Sequence, residues 1–105
     1  MRFARYKLCA LEAEMQLTIL AWYTEDDWPL LRKISVDRQT LPPDYSDWVA
    51  AAEKQERDML SNGQPVKRVL VQPDALQHWA IERGMPINSQ TRGHFAMDLH
   101  RRQSI

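Results

Sequence analysis

A chain of 105 residues, with 14 lysines and arginines against 14 aspartates and glutamates, has length for one hydrophobic core and too little for two. At 44% hydrophobic and 27% charged, with three glycines, the composition excludes long disordered or low-complexity tracts, and zero net charge argues against a strongly phosphate-seeking domain. No apolar run nears the ~20 residues of a membrane span, no secretory leader is legible behind Arg2, Arg5 and Lys7, and Cys9 stands alone. A single cytoplasmic domain over residues 1–105, without membrane attachment or cofactor, is the expectation.

Residues 1–14 are rich in helix formers, with Phe3, Tyr6, Ala10 and Ala13 near a 3.6-residue period, and read as a helical N-terminal extension. QLTILAWY, residues 16–23, mixes β-branched and aromatic side chains in an almost unbroken apolar run, the composition of a strand covered on both faces. Thr24 is placed to cap a short helix through Trp28, Leu31 and Ile34, with Glu25, Asp26 and Asp27 in its first turn and Pro29 tolerated there. Residues 35–43 read as a loop closed by Pro42 and Pro43.

The next helix carries the clearest pattern. Tyr45, Trp48, Val49, Ala52, Met59 and Leu60 fall on one stripe, Asp44 or Ser46 caps the start, Glu53 and Arg57 are spaced to pair, and Asn62 and Gly63 end it. A second strand follows over 65–72, with Val69, Leu70 and Val71 expected in the interior. Pro73 and Asp74 open a helix whose Ala75, Leu76, Trp79 and Ala80 face one way, and Gly84 with Pro86 stops it. Asn88 or Ser89 caps a last helix with Phe95, Ala96 and Leu99 inward and Arg92, His94, Arg101 and Arg102 toward solvent. The expected class is α/β, or small α+β: a two-stranded parallel sheet covered by four to five helices in the order (α)-β-α-α-β-α-α. Two strands make a marginal sheet, so self-association through an edge or a helix face is expected with it.

Catalytic signatures are absent. No glycine-rich loop follows either strand, and the acids after both would repel a phosphate. His94 and His100 are six residues apart, on different helix faces, so no zinc-type pair forms, and Asp98 is spaced to meet His94 as an ion pair. The consecutive acids 25–27 diverge around a helix and do not converge on a metal. Four tryptophans remain, of which Trp22 and Trp28 are the candidates for a partner-contacting platform.

Residues 74–102 have the outline of a helical hairpin with basic residues on the second helix, which any packed αα-hairpin shares. Gly93 inside that helix is expected where a neighbouring backbone comes close. The leading reading is a small, non-enzymatic interaction or regulatory module that contacts a protein partner or a second copy of itself. The alternative is a nucleic-acid-binding regulator that uses hairpin 74–102 through Arg92, His94, Arg101 and Arg102.

Overall fold

The computed structural model describes residues 17–103, and the helix expected over 1–14 lies outside them. In chain order the elements are β1 (Thr18–Trp22), α1 (Trp28–Ile34), a 3-10 turn (Arg38–Thr40), α2 (Tyr45–Ser61), β2 (Val66–Leu70), α3 (Pro73–Glu82) and α4 (Ser89–Gln103). β1 and β2 pair in parallel, Thr18 opposite Val66 and Trp22 opposite Leu70. This is a small α+β arrangement, with the expected order of strands and helices from β1 onward.

One side of the sheet is interior. Ile19, Ala21 and Tyr23 alternate with Val69 and Val71 on that side, where α4 lies across both strands with Phe95 and Ala96 buried. Trp28 and Leu31 of α1, Leu76 and Ala80 of α3, and Ile87 between α3 and α4 complete the cluster. The other side is only partly covered, by α2, none of whose residues is fully buried.

That asymmetry corrects the expectation of strands sealed on both faces. Val69 is 2% exposed and its neighbour Leu70 is 52% exposed, so β2 alternates as a half-solvated strand does. Leu60, placed on the buried stripe of α2, is also exposed.

The helix ends follow local chemistry. In α2, Gln64 N–H donates to Met59 O at 2.9 Å and Gly63 N–H to Leu60 O at 3.0 Å; in α3, Met85 reaches Ala80 O at 2.9 Å and Gly84 reaches Ile81 O at 3.1 Å. Both are Schellman ends, with Gly63 at φ +77° and Gly84 at φ +63° supplying the left-handed residue. Asn88 caps α4, its Oδ1 accepting from Thr91 N–H at 3.0 Å. Thr24 does not cap α1: its Oγ1 accepts from Asp27 N–H at 3.2 Å, organising the turn that holds Glu25, Asp26 and Asp27, and the helix begins after them.

Candidate interaction surface

The aromatic residues of β1, α1 and α2 form one packed group. Trp28 is 2% exposed; its ring lies 5.1 Å from that of Trp48 and 6.0 Å from those of Tyr23 and Tyr45, and its Nε1 donates to Pro42 O at 3.0 Å. Trp28 is therefore an interior residue and not a contact surface, a correction of its expected role. Trp22 is half-buried. It meets Trp48 edge-on at 5.0 Å, and the Arg68 guanidinium lies 3.8 Å above its ring. Arg68 is itself held by Glu56 through Nε–Oε2 at 2.8 Å and Nη2–Oε1 at 2.6 Å, which lowers the Glu56 carboxyl below, and raises the Arg68 guanidinium above, its ordinary pKa. Glu53 approaches the same guanidinium at 3.9 Å instead of pairing with Arg57.

The basic residues of α4 divide sharply. Arg92 points inward, 7% exposed, with Nη1–Oδ1 at 2.7 Å and Nη2–Oδ2 at 2.9 Å to Asp37 and a further bond from Nη1 to Ser35 Oγ at 3.1 Å. The expectation that Arg92 faces solvent is wrong because Asp37, brought alongside by the turn after α1, offers a bidentate acceptor. Asp98 pairs with Arg102, not with His94, while His94, Arg101 and Arg102 lie on the outer part of the helix.

Between α3 and α4 runs a continuous open groove. It starts at Leu70 and Ala75, continues over Phe95 and Leu99, and ends around Trp79, with hollows of about 310, 290 and 380 Å³ along it. Its floor is apolar: the Trp79 and Phe95 rings meet at 5.4 Å with a tilt of 58°. Its rim is mixed but mainly basic, with Arg83, Arg101 and Arg102 and the imidazoles His78 and His94 against Glu82 and Asp98. Arg83 lies 4.2 Å over the Trp79 ring and donates to Trp79 O at 3.1 Å.

Trp79 Nε1 is shut off from solvent and has no acceptor among the described residues. An indole N–H in that position normally finds a partner, so the floor of the groove holds one unused donor. Helical spacing puts Trp79 in the core, where it packs at the edge of the buried cluster, whereas Leu70, expected inside from its aliphatic neighbours, is exposed. The i,i+4 spacing of Trp79 and Arg83 is the available sign that this ring, which packs against the core, is overlaid by a cation as well.

Among the described residues no three histidine, cysteine, aspartate or glutamate side chains group as metal ligands do, and no helix is long and apolar enough to cross a membrane. Comparison with protein-family models, curated proteins and solved structures finds no match for the chain.

Proposed function

We propose that this chain is a non-enzymatic protein-interaction module that docks an acidic, amphipathic segment of a partner protein in the α3–α4 groove. The observation that carries the reading is the half-buried Trp79 ring, overlaid by Arg83, in an apolar floor beneath an arginine-bearing rim. Leu70, Leu99 and Trp79 offer apolar area for one face of such a segment, above the buried Phe95. Arg101, which has no acid within ion-pair distance among the described residues, offers charge to its carboxylates, and so does Arg83, whose contact with Glu82 is a loose 3.8 Å. The groove lining brings no serine, threonine or cysteine to its histidines.

Nucleic acid is the weaker partner class. Of the four residues assigned to it, Arg92 is committed to Asp37 and Arg102 to Asp98, which leaves His94 and Arg101 as the outward contacts.

The test is affinity capture with the full chain, its Arg83→Glu, Arg101→Glu double variant and a Trp79→Ala variant, followed by cross-link mapping of the retained protein. The expected result is a nuclease-insensitive partner cross-linked through an acidic segment to α3 and α4 and lost from both variants. Equal retention by wild type and variants, retention that disappears with nuclease, or self-association alone overturns the reading.

A further inference from the structure

A second hollow, of about 510 Å³, lies on the far side of α1 and is lined by Pro29, Arg32, Lys33 and Arg38. Its polar lining is cationic throughout. Pro29, Arg32 and Lys33, at i, i+3 and i+4, share the flank of α1 beside the core-facing Trp28 and Leu31, and Arg38 follows in the 3-10 turn. None of the three cations has a carboxylate within ion-pair distance among the described residues. The nearest acid in sequence to Arg38 is Asp37, whose carboxylate is already held by Arg92. Glu25, Asp26 and Asp27 precede the helix and do not line the hollow.

The dipole of α1 explains part of this arrangement. Arg32 and Lys33 sit in the last turn, where positive charge is favoured, and Arg38 donates to Ser35 O at 3.3 Å and Lys33 O at 3.5 Å near the same helix end. It does not explain Arg32 Nε. That N–H is closed off from solvent and has no acceptor among the described residues, on a guanidinium whose charge needs one. Two guanidinium groups and an ammonium around one open hollow are a donor set suited to a tetrahedral oxyanion, the outer N–H groups of the guanidiniums giving directed bonds and the lysine a point charge.

We propose that this hollow binds the phosphate group of a phosphorylated ligand, with Arg32, Lys33 and Arg38 as donors. The site lies outside the α3–α4 groove and does not depend on the function proposed for it.

The experiment is calorimetric titration of the full chain with inorganic phosphate at constant ionic strength, chloride being the replaced ion. Saturable one-site binding is expected, about tenfold weaker in Arg32→Gln. Because Arg32 is partly buried, the exposed pair Lys33→Gln, Arg38→Gln is the second variant; it is expected to lose binding equally while melting as the wild type does. Parallel titrations with phosphoserine peptide and with a nucleoside monophosphate identify the source of the phosphate, and tighter binding of either than of inorganic phosphate supports the site. Heats indistinguishable from chloride, or unchanged affinity in both variants, overturn it.

Discussion

Arg92 and Asp37, held by two parallel N–H···O bonds of 2.7 and 2.9 Å, tie the first turns of α4 to the segment that follows α1. Val36 N–H donating to Ile87 O at 2.9 Å reinforces the same junction. Removing one member of such a pair leaves an uncompensated charge in a largely desolvated position. Arg92→Met avoids that by removing the buried charge itself, so it is expected to destabilise less than Asp37→Ala, which should cost about 3 kcal/mol. Urea denaturation of the two variants measures the ordering.

The same pair sets an acid limit. Hydrogen bonding from Arg92 is the largest influence holding the Asp37 carboxyl below the ordinary aspartate pKa, and it outweighs the opposing effect of burial. A depressed folded-state pKa contributes stability that is present above the unfolded-state value and lost as pH falls through the folded one. Wild-type stability should therefore decline below the usual aspartate range, and this part of the decline should vanish in Asp37→Asn. Melting temperature against pH from neutral to strongly acid gives the comparison.

At alkaline pH the sensitive group is Tyr23. Its burial pushes the phenol up to about 12 from an ordinary 10.0, with Arg92 pulling down and Asp37 pushing up. The neutral phenol is the form the fold accepts, so its contribution is whole below the unfolded-state value and is lost as pH rises through the folded one. Absorbance titration should show one tyrosine ionising late, near pH 12, and Tyr23→Phe should remove that late step.

Two glycine-to-alanine changes should have opposite signs. At Gly84 an added Cβ meets no atom within 4 Å, yet φ is +63°, so Gly84→Ala carries backbone strain of about 1 kcal/mol. Gly93 lies in α4 at an ordinary helical φ with equally open surroundings, so Gly93→Ala should stabilise by about 1 kcal/mol. The close backbone neighbour expected at Gly93 is not there. Chemical denaturation midpoints of the two variants should move in opposite directions.

Arg68 acts as a lid on Trp22. Arg68→Ala should leave melting nearly unchanged, since exposed ion pairs contribute little, but should increase quenching of tryptophan fluorescence by acrylamide. Unaltered quenching would show that Trp22 is shielded by other groups.

How much of this was legible in the sequence follows from the range of the interactions concerned. The α2 stripe from Tyr45 to Met59, the glycine stops at Gly63 and Gly84 and the Asn88 cap rest on periodicity and local bonding, and the parallel strand order, though its pairing is long-range, follows from the helical crossover between two apolar strands. The misreadings concern partners distant in the chain. Nothing near Arg92 announces Asp37, 55 residues earlier, and nothing near Leu70 says that α2 leaves that side of β2 open. Trp28 looked available only because Pro42, Tyr45 and Trp48 are not its neighbours in sequence. The groove was partly visible as hairpin 74–102, but its floor depends on the angle at which Trp79 meets Phe95.

The parallel pairing of Thr18 with Val66 also imposes an order in time. Each strand finds its hydrogen-bonding partner only across the entire α1–α2 excursion, a long loop whose closure must precede any reward, whereas α3 and α4 meet across a short turn. The hairpin is thus the segment equipped to organise early, and the ribbon it rests on is a late arrival in the folding of the chain.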